Sequence, residues 1–502
     1  MLKKANKILI GIIILGLGLR LFGIKHGFPF IFHPDEPAVV RSALGIRFYK
    51  NPGHFDWPHL YFYLNYFVYT GFAFFRNILV SLNLKEVIVR IAPLFWNDEL
   101  IFYLISRIIS ALLGTFTIIP VYLTAKNMFN KKTAVYSALA FCIIPFHVWR
   151  SHYGLIDVPM VFFLSWVLYF SSLIITKNKF KYYVFAGFFA GLAASTKYHG
   201  GLGAILIPLS YLTWYFTQCQ KSKIKFLKFS DIRNILVSGA SSVLGFLAGT
   251  PFALFDFKTF RRTDSPAGAF WQFKNVGSVR FKIRLIQIFD AVFLKISDDL
   301  GYFLLLLYLV GLGILIFRLI KKAKSQDNLK LWFLYIPSLF FIYYISGFEK
   351  TRSHYYMLIY PFVAVCFGYF LDYFVEILRT KWHDNCLFLV IIIFSVPLLL
   401  SIRRSYIFYL TDSRVSLFKW LTGANIDSKV LYDKSLDEIM KKADVKEYAD
   451  FQDNYVIKKS DFLIFIPESM PILPDHGYQL EKVEKFGSKL NRGPNIEIYQ
   501  AQ

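Results

Sequence analysis

Four short stretches place ionisable side chains at the margins of apolar segments. "HPDE" (33–36) sets Asp35 and Glu36 side by side between two prolines, Pro34 and Pro37, with His33 just before them. "WRSHYGLIDVP" (149–159) carries Arg150, His152 and Asp157; "STKYHGG" (195–201) carries Lys197 and His199; "FEKTRSHYY" (348–356) carries Glu349, Lys350, Arg352 and His354. A positioned carboxylate can take the proton of an attacking hydroxyl, and Lys and Arg can offset charge on a phosphate. Each stretch also has a structural alternative. The acid pair could be solvated at a helix start near Pro37, and Asp157 could cap a helix beginning at Pro159. Lys197 could be a lysine snorkelling to the interface. Asp98, Glu99 and the acids of 256–299 compete as partners. His33, Glu36, His152 and Asp157 together could supply oxygen and imidazole ligands to a divalent metal, which stays an open alternative.

The elements that must position these groups are membrane helices. The 502 residues have a mean hydropathy of +0.45 and are 56% hydrophobic and 19% aromatic. Repeated apolar runs come close to the ~20 residues that cross a bilayer core. Eleven spans are expected, at 8–24, 101–125, 134–153, 158–176, 182–197, 200–217, 235–254, 301–320, 331–348, 355–377 and 387–402. The first follows Lys3, Lys4 and Lys7, has no small-residue cleavage site after it, and is read as a retained helix. The net charge is +24, yet residues 403–502 hold 15 basic and 15 acidic side chains, so the excess lies between the apolar runs. Lys126/Lys131/Lys132, Lys177/Lys179/Lys181, Lys221/Lys223/Lys225/Lys228/Arg233, Arg318/Lys321/Lys322/Lys324/Lys330 and Arg379/Lys381 all fall on the side of the N-terminus. That is the positive-inside pattern and speaks against nucleic acid as a partner. It places the N-terminus in the cytosol and all four chemical stretches on the opposite face. Cys142, Cys219, Cys366 and Cys386 form neither a metal spacing nor a disulfide framework.

The apolar segment 58–80 breaks the alternation, because crossing once would turn every later basic cluster outward. It is expected to lie along the outer interface or to dip in and return, with Tyr61, Tyr63, Tyr66 and Tyr69 at headgroup level. Residues 25–100 then form one external loop of a transmembrane unit, 1–402. Residues 403–502 switch to dense charge and strand-length runs at 429–433, 461–467 and 496–500, with a helix at 435–444. The fold expected is a mainly α polytopic bundle with a small external α/β domain. No P-loop, dinucleotide-binding glycine pattern or HExxH motif is present, so a cytosolic nucleotide engine is not supported.

In their order along the chain, "HPDE", "SHYGLIDVPM", "TKYHGGL" and "RSHYYMLIYP" resemble the GT-C glycosyltransferases, and within them the protein O-mannosyltransferases and lipid A aminoarabinose transferases. The resemblance covers most of 1–400. It implies an inverting enzyme of the cell membrane that moves a hexosyl or pentosyl group from a polyprenyl-phosphate donor to a hydroxyl of a protein, lipid or glycan on the non-cytosolic face. By the same resemblance, Asp35 is the catalytic base with Glu36 beside it, Asp157 is the second acidic position, and Lys197 and Arg352 contact the donor phosphate. His199 and His354 stand beside those two. This chain has His354 between Arg352 and the tyrosines, where many members have Arg-Tyr directly. Some relatives use a metal and others do not, so no cofactor is implied outright. The competing class is a transporter or flippase of an anionic lipid-linked saccharide. It would need ionisable residues at mid-bilayer depth, and the span interiors here are nearly free of Asp and Glu.

Overall fold

The computed structural model describes residues 2–219, 229–323, 325–382, 386–424, 429–445, 448–450, 457–467, 479–487 and 492–502. The basic residues Lys221, Lys223, Lys225, Lys228 and Lys324 lie outside them. The chain forms two compact units, one of Met1–Leu21 with Asp35–Arg404 and one of Phe22–Pro34 with Ser405–Gln502.

The first unit is helical throughout. Its elements up to the middle of the chain are α1 (Leu2–Leu21), α2 (Asp35–Gly45), α3 (Leu60–Ser81), α4 (Lys85–Ile91), α5 (Ile101–Phe116), α6 (Ile118–Met128), α7 (Lys131–Cys142), α8 (Pro145–Arg150), α9 (Asp157–Lys177), α10 (Phe180–Thr196), α11 (Leu206–Cys219) and α12 (Phe229–Gly249). Among the described residues, seven helices are long and apolar enough to cross a membrane: Ile101–Met128, Asp157–Lys177, Asp231–Gly249, Tyr302–Ile320, Gln326–Ile345, Ser353–Arg379 and Val390–Tyr409. Each coincides with an expected span. The expected span 134–153 is instead broken between α7 and α8. Pro145, at the first position of α8, has no N–H to continue the ladder. The 200–217 span is likewise divided, into a 3₁₀ stretch Tyr198–Ile205 and the 14-residue α11.

Packing is tightest where the site will be held. α10 and α12 approach so closely that a Cβ at Gly187, Gly191 or Gly245 would strike the backbone of the facing helix, the small-residue contact that membrane helices use. This fixes the end of α10, from which Lys197 follows. Phe141, Cys142, Val148, Met160, Leu164, Tyr335 and Phe367 fill the core, and Cys142 and Cys366 are free buried thiols.

In α3, Tyr61, Tyr63 and Tyr69 are buried in protein. The Tyr61 hydroxyl donates to the Ser106 carbonyl at 2.9 Å, and Tyr69 bonds Phe102 and Ser106. Polar backbone and hydroxyl groups at the head of α5 supply partners that a phenol would otherwise seek in headgroups. Farther along α3, Arg76 pairs with Asp98, just before α5, so both ends of α3 meet the leading segment of that helix.

The second unit is a five-stranded sheet of order β2-β1-β3-β5-β4, from β1 (Val430–Tyr432), β2 (Tyr448–Asp450), β3 (Phe462–Phe465), β4 (Leu480–Phe486) and β5 (Ile496–Ala501). β1 is parallel to β2 and β3, while β5 runs antiparallel to β3 and β4. Alternating side chains bury both faces of the central strands. Val430, Tyr432, Ile464, Ile496 and Ile498 pack with Leu417, Leu421 and Met440 on one side, and Leu431, Leu463 and Phe465 pack on the other. Phe30 and Phe32 join this unit from far upstream, Phe30 edge-on to Phe418 and Phe32 beneath the guanidinium of Arg414.

Candidate active site

α2 begins at Asp35, so the two adjacent acids sit at the head of a helix and diverge by ~100° about its axis. Glu36 turns inward and is 1% exposed. Its carboxylate takes Arg107 Nε and Nη2 at 2.8 and 2.7 Å and the Gly154 N–H at 2.9 Å. This is a bidentate, fully buried ion pair that ties α2 to α5 and to the turn before α9. Asp35 turns the other way and lines a cavity of about 360 Å³.

That cavity gathers three of the four stretches opposite Asp35, with Arg150, Asp157, Lys197, His199, Lys350, Arg352 and His354 in its wall. Asp157, at the first turn of α9, is held by Arg150 and by Lys197 Nζ at 2.6 Å. Lys197 also stands over the ring of Tyr355, 4.8 Å from its centroid. Both oxygens of Asp157 are thereby committed, and it fixes two cations at the cavity wall. Lys350 and Arg352 make no ion pair among the described residues, so the cavity keeps uncompensated positive charge opposite Asp35.

His199 stacks on Tyr355 and meets Phe348 edge-on, with centroids 5.6 and 5.4 Å away. Burial, with Lys197 adding to it, pushes its pKa down to about 3, so the ring is neutral. Both of its nitrogens are buried without a partner among the described residues. Groups left so are costly unless a ligand or water satisfies them.

The other expected site residues lie elsewhere. His152 is buried and does not line the cavity, its Nδ1 donating to the Val148 carbonyl at 2.9 Å. His33 belongs to the second unit. Glu36 is spent on Arg107, and Asp157 on two cations. The metal set His33, Glu36, His152 and Asp157 is therefore not assembled, and the described residues contain no cluster of three or more His, Cys, Asp or Glu able to hold a metal. Asp98 pairs with Arg76 and does not line the cavity. The wall also includes Asp56, Trp57, Tyr198 and Gln272, which the sequence reading passed over. An acid followed by Trp-Pro, directly before an apolar run, was the available signal for Asp56.

Residues 102–241 match the family model described as dolichyl-phosphate-mannose-protein mannosyltransferase. The expected resemblance holds over that stretch. It contains Arg107, Arg150, Asp157, Lys197 and His199, while Asp35 and Arg352 lie outside it. Dolichyl-phosphate-mannose–protein mannosyltransferase 1 of Saccharomyces cerevisiae is 29% identical over 167 residues, covering 30% of this chain and 19% of its own length. The chain thus spans about a fifth of that curated relative. Among solved structures, the Archaeoglobus fulgidus oligosaccharyltransferase tethered with an acceptor peptide aligns with a TM-score of 0.49 at 13% identity, over 88% of this chain and 63% of that one. ArnT from Cupriavidus metallidurans bound to undecaprenyl phosphate aligns with a TM-score of 0.44 at 12% identity, over 99% and 97%.

Proposed function

We propose that this protein transfers a sugar from a polyprenyl-phosphate-linked donor to an acceptor hydroxyl on the non-cytosolic face of the membrane, with Asp35 as general base. The observation that carries this reading is the cavity itself. A carboxylate from the head of α2 faces cations delivered by α8, by the turn after α10 and by the segment before Tyr360, each more than a hundred residues from Asp35 in sequence.

In this reading the acceptor O–H lies against Asp35, which takes its proton as the oxygen attacks the anomeric carbon. The bond from that carbon to the phosphate oxygen breaks, and polyprenyl phosphate leaves. Lys350, Arg352 and Lys197 receive the charge gathering on the leaving group. One displacement inverts the anomeric centre, and phosphate departs without a carboxylic acid to protonate it. Asp157 acts by orienting Lys197 and Arg150. His199, neutral and flanked by two aromatic rings, offers a donor and an acceptor to sugar hydroxyls in a water-poor wall. The relatives named for mannosyl transfer from dolichyl phosphate, and the structure bound to undecaprenyl phosphate, support a prenyl carrier as donor class.

Purified protein incubated with a panel of polyprenyl-phosphate sugars and membrane acceptors is expected to release polyprenyl phosphate. Asp35→Asn should abolish the release while insertion persists. Transfer undiminished in that variant removes Asp35 as base, and no release with any donor sinks the whole reading.

A further inference from the structure

A second cavity, also of about 360 Å³, lies between α2, the turn at 50–54 and the head of α3. It shares no lining residue with the first. The segment 54–59 separates them, giving Asp56, Trp57 and Pro58 to one and His54 and His59 to the other. Its wall holds three basic side chains, Arg41, Lys50 and His54, and no carboxylate. Asp56 stands behind His54, 2.6 Å from Nδ1, and Asp256 accepts from Asn51 at the rim. Arg41 and Lys50 are exposed and make no ion pair among the described residues.

The deepest wall residue is His59, which is fully buried. Its Nε2 lies 2.9 Å from the His54 carbonyl, which can only accept, so Nε2 carries the proton. Burial pushes the pKa of His59 down to about 4, which leaves Nδ1 a bare acceptor, and Nδ1 has no partner among the described residues. The wall therefore combines exposed cations with one buried acceptor left unanswered. An anion with no O–H, such as sulfate, would leave that acceptor empty; an anion carrying hydroxyls would fill it.

Beside the mouth stands an aromatic ridge. Phe48 stacks on Tyr63 at 4.2 Å and leans on Phe67 at 5.3 Å, yet Phe48 is 46%, Phe67 57% and Tyr49 85% exposed. Exposed aromatic side chains beside basic ones suit the membrane interface, where rings meet acyl chains and cations meet phosphates. We propose that this cavity binds the headgroup of an anionic polyol phospholipid, with its phosphate on Arg41 and Lys50 and a headgroup hydroxyl donating to His59 Nδ1. The site is independent of sugar transfer and would seat the C-terminal end of α2 against the bilayer.

The test is equilibrium binding of short-chain phosphatidylglycerol, short-chain phosphatidylcholine and glycerol phosphate to the full chain in detergent. Phosphatidylglycerol is expected to bind about tenfold more tightly than phosphatidylcholine, one charge-assisted contact's worth of preference. Glycerol phosphate should bind more weakly than the lipid. The double variant Arg41→Gln, Lys50→Gln, altered only at exposed positions, should lose the preference, whereas Arg352→Gln in the first cavity should keep it. Equal binding of the two lipids, or a preference that survives the double variant or falls with Arg352→Gln, overturns the site. Glycerol phosphate binding as tightly as the lipid overturns the lipid as occupant.

Discussion

In the helical unit, Asp157 is 4% exposed beneath Arg150 and Lys197, and those cations in turn face an open cavity. In the sheet unit, Asp412 accepts from Arg414 at 2.9 Å while capping the helix that starts at Ser413, and Glu497 is clasped by Lys482 and Lys485 at 2.7 and 3.0 Å. Both regions pair acids with bases. In the sheet unit the pairs close on themselves, with lysines left in water. In the helical unit they form one wall of a cavity, with Lys350, Arg352 and both nitrogens of His199 left over. Leftover polar capacity in a buried wall, rather than the number of charges, marks where a ligand goes.

The largest effect that would sharpen this contrast is on Glu36. Glu36→Gln keeps the shape but strands the Arg107 guanidinium in the core, and should cost about 3–5 kcal/mol of stability, read by denaturant unfolding in micelles. If stability is unchanged, Glu36 is not the brace described here. Next comes Asp35→Asn. It should lower kcat by about 10²–10⁴-fold, the worth of a general base, with unfolding unaltered. Two neighbouring acids would then separate into one structural and one chemical group; a variant that loses stability instead would erase the distinction.

Asp35, Asp157, Lys197 and Arg352, which line one cavity, were legible in the sequence because each stands where an apolar run begins or ends. The partition of Asp35 from Glu36 was not. Adjacent residues on a helix face different ways, and which one turns inward depends on Arg107, seventy-one positions on. The burial of the α3 tyrosines was not legible either, because an aromatic at an interface and one against a neighbouring helix look alike until Ser106 and Phe102 are seen beneath them. In the sheet unit the apolar runs of β1, β3 and β5 announced themselves. The edge strand β4, "LEKVEKF", did not: it is mostly exposed and charged, as edges that must avoid pairing usually are. Phe30 and Phe32 were assigned to an external loop, since nothing local tells an aromatic that its partners lie some four hundred residues later.

A smaller effect is expected at Lys197. Lys197→Met should lower kcat/KM for the lipid-linked donor about 10- to 100-fold, one charged hydrogen bond's worth, while binding of an uncharged acceptor analogue stays the same. Parallel loss for both would mean that Lys197 shapes the cavity instead of reading the phosphate. The smallest lies in the sheet unit. Lys482 and Lys485 hold the Glu497 carboxyl down at about 2. Its contribution is complete above the ordinary glutamate pKa and disappears as pH falls through the depressed one. The protection factors of β4 and β5 amides, observed exchange set against the intrinsic rate at each pH, should therefore fall between about pH 4.5 and pH 2, only slightly, since water screens the lysines. Protection in Lys482→Gln, Lys485→Gln should be nearly flat across that range, and sugar transfer should be untouched.

The Gly154 N–H ends on the same carboxylate that holds Arg107. A side chain at Gly154 would press on Ser106, at 2.6 Å from its Cβ. The tether between base and donor wall thus runs through a residue that no sugar ever meets. One added methyl group there would press on α5 at Ser106 and disturb the brace that holds the start of α2, while every side chain lining the cavity stayed chemically intact.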